Sequence, residues 1–195
     1  MKLTERQTAI IVGTVLGDGF LQKTGSKNAR LRLEHSDKQK DYLLWKGAQL
    51  SRLFQGKPTF LSRTHPKSGE TYSYARWQSN ASPEIGVWQR YFYPEGKKII
   101  PADIGENLLP LALSVWYMDD GYLSPDKSSF IYLGKVSKNE ADILRDAIAK
   151  NFSIEAKVYD KKNKGFALYF PVEETRKLHA LLRAFIHSSM SYKIS

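Results

Sequence analysis

Gly13-Thr14-Val15-Leu16-Gly17-Asp18-Gly19 and Trp116-Tyr117-Met118-Asp119-Asp120-Gly121 are the two stretches that decide the fold of this chain. Each closes an apolar run at an Asp-Gly pair, and each is followed by an aromatic residue, Phe20 or Tyr122. A glycine just past an apolar run signals a helix stop, so each acid is expected at the C-terminal end of a helix. That is the end where the macrodipole disfavours a negative charge. One such Asp-Gly is an ordinary helix-ending turn. Two of them, about half of the 195 residues apart, point to a duplicated unit that brings a pair of carboxylates together.

The elements read outward from these stretches repeat in order. A helix is expected over 4–16 with Thr4 as its N-cap. Strands are expected over 20–23 and 29–35, joined by the turn Thr24-Gly25-Ser26-Lys27-Asn28. Arg30-Leu31-Arg32-Leu33-Glu34 alternates, with leucines on one face and charges on the other. A helix over 38–54, stopped by Gly56, leads to a hairpin over 59–64 and 72–78. Ser82-Pro83-Glu84 then opens a short helix to 92, with Pro at its first position. After Pro94-Glu95-Gly96-Lys97-Lys98-Ile99-Ile100-Pro101, which reads as a linker, the αββαββα order recurs. The second set is a helix over 105–118, strands over 121–123 and 130–136, a helix over 139–152, strands over 156–160 and 166–170, and a helix over 173–185. Ser137-Lys138-Asn139-Glu140 has the form of a capping box. The chain is therefore divided into a repeat over 1–95, a linker over 96–104 and a second repeat over 105–195.

The net charge of +10 favours a polyanionic partner. Residues 1–100 hold 17 Lys and Arg against 8 Asp and Glu, so the excess sits in the first repeat. In the second repeat the acids concentrate in expected helices and the bases near expected strands, as in a protein that lays a sheet on a polyanion. There is no Cys, which excludes disulfides, thiolate zinc sites and Cys nucleophiles and suits a reducing compartment. No apolar run of membrane-spanning length exists, so no membrane partner is expected. The four histidines show no metal-ligand spacing. Trp45, Trp88 and Trp116 fall on expected helices and read as packing residues, whereas Tyr72, Tyr74 and Trp77 fall on a strand.

The two Asp-Gly helices and the repeated αββαββα order resemble the LAGLIDADG homing endonucleases in their monomeric, two-repeat form. Residues 13–19 match the family motif, with small residues Gly13 and Gly17 one helical turn apart. The second stretch resembles a Trp-aromatic-Met-Asp-Asp-Gly variant of one subfamily. Gly96-Lys97-Lys98-Ile99-Ile100-Pro101 resembles that subfamily's linker, and Met190-Ser191-Tyr192-Lys193 its C-terminal motif. The resemblance implies an α+β fold of duplicated units with pseudo-twofold symmetry, in which two antiparallel sheets form a DNA-binding saddle. It implies a monomer that makes a divalent-metal-dependent double-strand break, with a short 3′ overhang, at a long asymmetric target in double-stranded DNA.

The candidate catalytic residues are Asp18, Asp120, Lys98 and Lys193. Paired carboxylates with water and phosphate oxygens form a hard donor set suited to Mg²⁺, with Mn²⁺ as the substitute. The candidate metal site comprises Asp18 and Asp120 with the residues before them, Gly17 and Asp119. Asp120 is preferred over Asp119 because it aligns with Asp18 directly before the glycine. Val115 and Asp119 stand where the first helix has Gly13 and Gly17, so the helix pairing must be asymmetric. The candidate DNA-binding residues are Lys23, Lys27, Arg30, Arg32, Arg63, Lys67 and Arg76 in the first repeat, and Lys135, Lys138, Lys157, Lys161, Lys162 and Lys164 in the second. Two alternatives share the fold. One is an intron-encoded maturase, with intron RNA as partner. The other is a non-catalytic DNA-binding protein.

Overall fold

The computed structural model describes residues 2–195. The elements run α1 (Glu5–Leu16), β1 (Phe20–Lys23), β2 (Ala29–Ser36), α2 (Lys40–Gln49), β3 (Thr59–Thr64), β4 (Thr71–Gln78) and α3 (Pro83–Phe92). They continue with α4 (Pro110–Asp120), β5 (Gly121–Leu123), β6 (Ser129–Gly134), α5 (Lys138–Phe152), β7 (Lys157–Asp160), β8 (Phe166–Phe170) and α6 (Val172–Leu182). All strand pairs are antiparallel, and the two four-stranded sheets share one strand order, β1-β2-β4-β3 and β5-β6-β8-β7. The expected α+β duplication is thus present. Packing divides the chain into two compact units, one on Asp18–Arg90 and the other on Thr4–Gly17 with Tyr91–Ser195.

Local signals explain most of the boundaries. Thr4 accepts the Gln7 N–H while the Gln7 side chain accepts the Thr4 N–H, a reciprocal cap. Ser137 and Glu140 form the expected box before α5. Ser82 Oγ accepts the Ile85 N–H, with Pro83 at the first position of α3. In the first unit Leu21, Leu31, Leu33 and Ala75 are buried on one face of the sheet, as are Tyr42 and Leu43 of α2. In the second unit Ile131, Leu168 and Phe170 are buried with Leu144 and Ile148 of α5 and Leu178 of α6.

Several boundaries depart from the sequence expectation. The helix expected over 38–54 is a 3-10 turn (Asp37–Gln39) followed by α2, which ends at Gln49. The Leu50 N–H is shared between the Lys46 and Gly47 carbonyls, and Leu50 leaves the helical region at φ −110°, ψ 28°. Gly56 therefore lies beyond the helix and accepts the Trp77 indole N–H. The helix expected over 105–118 begins only at Pro110, because a residue before proline is disfavoured in α conformation, and Leu109 is extended at ψ 163°. It also runs on to Asp120, which puts both acids in its last turn. Strand β6 ends at Gly134, where the register slips and φ is +65°, so Lys135 falls outside the sheet.

Candidate metal centre and nucleic-acid interface

Helices α1 and α4 pack side by side within the second unit. A Cβ on Gly13 would lie 2.2 Å from the Ala112 carbonyl oxygen and 2.8 Å from Val115 Cβ. A Cβ on Gly17 would lie 2.6 Å from the Asp119 side chain. Each glycine therefore faces the larger residue of the other helix, the asymmetry expected from sequence. Neither Gly17 (φ −89°) nor Gly121 (φ −74°) adopts the left-handed conformation of a glycine helix stop. Gly121 is needed for space instead, since a Cβ there would lie 2.3 Å from the Tyr117 carbonyl oxygen.

Each of these helix ends lies next to an acid and carries a lysine. Asp18 follows directly after Gly17, the cap of α1, and its side chain is 46% exposed. Asp119 and Asp120 are half-buried in the last turn of α4. Lys98 Nζ lies 3.5 Å from the Leu16 carbonyl oxygen, at the end of α1. Lys193 Nζ donates to the Met118 and Asp119 carbonyls at 2.6 and 2.8 Å, at the end of α4. Each acid-bearing helix thus has an ammonium group on its last carbonyls, where the macrodipole favours a cation.

A buried network fixes the main chain of Lys193. The Tyr117 hydroxyl donates to the Lys193 carbonyl at 3.0 Å and lies 2.8 Å from His179 Nε2. The Ser195 N–H donates to His179 Nδ1, so Nε2 carries the ring proton and donates. Burial lowers the His179 pKa to about 4 and raises that of Tyr117 to about 12, which keeps both neutral near pH 7. The carboxylate and main-chain oxygens at each helix end are hard donors that fit a divalent cation, and on the first unit's side the His35 ring nitrogen lies 3.7 Å from Asp18.

The outward sheet faces carry different chemistry. In the first unit the register puts Arg30, Arg32, Arg63 and Arg76 on the face opposite Leu31 and Leu33, as expected for Arg32. Glu34 sits among them. Arg76 Nε and Nη2 both lie 2.7 Å from Glu34 Oε2, while the Arg32 and Arg63 guanidinium nitrogens lie 3.8 Å from the same carboxylate. Arg63 also stacks over Tyr74 at 4.5 Å, and Arg30 donates to Gln78. Lys23 ends β1, and Lys27 and Lys67 lie in the hairpin turns, all exposed. Tyr72 and Tyr74 share the arginine face, whereas Trp77 lies on the opposite face, over Gly47.

In the second unit the outward face is aromatic, a feature the sequence reading missed. Phe130 sits 6.3 Å from Tyr132, 6.4 Å from Tyr159 and 5.0 Å from Tyr169. Its signal in the sequence is the alternation Phe130-Ile131-Tyr132, with the two aromatics on one face of the strand. Lys157 is on β7, and Lys161, over the Tyr132 ring at 4.2 Å, leads into the connecting turn that holds Lys162 and Lys164. Lys135 lies just past β6. Lys138 belongs to α5, where it pairs with Asp142 at 2.7 Å, so it is a helix residue and not a strand base. A second missed group is His35 with Lys46, both buried. With Asp18, Glu34, Arg63 and Tyr74, His35 lines a cleft of about 640 Å³ within the first unit.

Comparison with known proteins places this architecture. The sequence profile of the LAGLIDADG DNA endonuclease family matches residues 8–178. The chain belongs to that family. Among curated relatives, DNA endonuclease I-ChuI of Chlamydomonas applanata is 26% identical over 100% of this chain and 97% of its own length. The cytochrome b mRNA maturase bI2 of Debaryomyces hansenii is 23% identical over 98% and 74%. Protein RecA of Mycolicibacterium flavescens is 26% identical over 99% of this chain, which spans only 47% of that relative's length. Among solved structures, the homing endonuclease I-WcaI bound to its DNA recognition sequence superposes with a TM-score of 0.91 at 24% identity, covering 100% of this chain and 88% of that one. I-DmoI in complex with DNA and Mn gives 0.53 at 15% identity over 91% and 97%, and the same enzyme is known with DNA and Ca. These likenesses in structure show the LAGLIDADG fold. Among the described residues, no helix is long and apolar enough to cross a membrane.

Proposed function

We propose that this chain is a monomeric homing endonuclease that makes a divalent-metal-dependent double-strand break at a long, asymmetric DNA target. The observation that carries this reading is the doubled arrangement at the helix ends. Lys98 sits on the last carbonyl of the helix leading to Asp18, and Lys193 on the last carbonyls of the helix carrying Asp119 and Asp120. A duplicated acid with a duplicated cation suits a reaction performed once on each strand.

In this reading Asp18 and Asp120 hold the metal, Mg²⁺ or Mn²⁺, together with main-chain oxygens at Gly17 and Asp119. The chemistry such an ion supplies when bound is activation of water and neutralisation of charge on a phosphodiester. Lys98 and Lys193 stabilise the additional negative charge of the transition state. The two sheets lie in the major groove, where all four base pairs are distinguishable. The arginine face reads guanines, and the lysines bordering the aromatic face hold phosphates. The Mn complex of I-DmoI supports the metal requirement.

The test is to recover cleaved ends from a randomised duplex library in Mg²⁺. A single consensus with paired breaks is expected from the wild type, and none from Asp18→Asn or Asp120→Asn, which should still bind the selected duplex. Wild-type cleavage by both variants would overturn the assignment. The likeness to the bI2 maturase supports a second activity on intron RNA. Splicing of the host intron by the Asp18→Asn protein would establish it separately from cleavage.

A further inference from the structure

Lys46 lies on α2 with no exposed surface, and a cation there needs a partner. Its Nζ is 3.2 Å from His35 Nε2 and 4.4 Å from the centre of the Tyr42 ring. His35, on β2, is only 4% exposed, and its ring lies 5.2 Å from that of Tyr42. On the other side of the imidazole, Nδ1 is 3.7 Å from Asp18 Oδ2, facing the carboxylate at a separation longer than a hydrogen bond. All four residues belong to the first unit.

An ammonium group has three donors and no acceptor, and a carboxylate has acceptors only. A neutral imidazole between them has a single arrangement that satisfies both neighbours. Nε2 offers its lone pair to Lys46, and Nδ1 carries the proton that faces Asp18. The opposite tautomer would set an N–H against a buried ammonium and a lone pair against a carboxylate.

We propose that Lys46 locks His35 in the Nδ1-protonated tautomer and that His35 thereby holds the Asp18 carboxylate in its working orientation. His35 and Lys46 are positioning residues, and the inference rests on the reading of Asp18 as a metal ligand. It mirrors the way outer groups orient metal-ligating side chains elsewhere, where their loss typically costs 10- to 100-fold in metal affinity. The Asp18 side chain is half-exposed and lies just beyond the end of α1.

The tautomer is directly readable. In a long-range ¹H–¹⁵N correlation spectrum of histidine-labelled protein, the His35 pattern should be that of an Nδ1–H ring. It should change in Lys46→Met, which keeps the stem and removes the donor. An Nε2–H pattern in the wild type would overturn the lock. The positioning role is tested by Mn²⁺ titration, followed by electron paramagnetic resonance, of the protein on its selected duplex. His35→Gln, whose amide reaches toward Lys46 and leaves Asp18 without a donor, should weaken Mn²⁺ about tenfold. His35→Asn, whose amide nitrogen takes the place of Nδ1–H, should recover most of that loss. Equal Mn²⁺ affinity in His35→Gln and the wild type would overturn the positioning role. If Asp18→Asn itself binds Mn²⁺ like the wild type, the metal-ligand reading fails, whatever the tautomer.

Discussion

Gly13 rests on the main chain of Ala112 so closely that the first carbon of any side chain would lie 2.2 Å from the Ala112 carbonyl oxygen. The obstacle is backbone in the first turn of α4, which cannot swing aside as a long side chain could. Gly13→Ala should therefore cost at least about 1–3 kcal/mol, the usual range for an overfilled core. A urea titration reads this as a lower midpoint at unchanged slope. An unchanged midpoint would show that the two helices separate freely.

The lysines on the helix ends should divide binding from chemistry. Lys98→Met and Lys193→Met are expected to slow single-turnover cleavage of the selected duplex about 100-fold while changing affinity several-fold at most. Loss of affinity alone, with single-turnover rates intact, would make them phosphate-positioning residues. Lys193→Met should also lower stability, because it leaves two carbonyls at the end of α4 without their donor.

Base readout should be strongest beneath the arginine face. Arg76 is tied to Glu34 by two contacts at 2.7 Å, whereas Arg32 stands 3.8 Å away and is the freer of the two to fork onto a guanine. Arg32→Ala should cost about 1–3 kcal/mol and relax one base position. Cleavage profiling across every single-base variant of the target checks this. Equal stringency in the two half-sites, or uniform weakening by Arg32→Ala, would show that the arginines meet only phosphate.

Stability should fall in mild acid through His179. Its folded pKa, about 4, lies below the ordinary histidine value of 6.5 because the ring is buried. Only the unfolded chain takes up the proton between these values. The stabilisation is therefore complete above about pH 6.5 and is lost progressively down to about pH 4, by up to about 3 kcal/mol. His179→Asn should flatten that part of the pH–stability curve, read by thermal melts at half-unit steps.

The duplication was legible because its signals are local. Thr4, Ser82-Pro83 and Ser137 through Glu140 mark helix starts by their own hydrogen bonds, and the alternation from Arg30 to Glu34 sets a face without help from the rest of the chain. The end of α2 was not legible. Leu50, Leu53 and Phe54 continue a helix-like apolar spacing, and only the shared hydrogen bond of Leu50 shows that the chain has turned. The lysine pattern was readable at Lys98 and Lys193 through the family motif alone. That Lys193 closes the end of α4 is a contact across 75 positions, which no window along the sequence contains. His35 and Lys46 belong to no motif and became visible only when β2 and α2 were folded together.

The pairing of α1 with α4 bears on how the protein is made. Helix α1 packs in a unit completed by segments about 100 residues behind it, a wait of about 5–20 s at common elongation rates. Throughout that time the apolar stretch Ala9–Leu16 of that helix lacks the surface that buries it. Asp18–Arg90, by contrast, emerges as a continuous unit. Ribosome-stalled chains in which residues up to about 95 have cleared the exit tunnel, but α4 has not, should therefore protect the first sheet from protease while leaving 5–16 open to cleavage or to chaperones, and protection of that helix should arrive only once α4 has emerged.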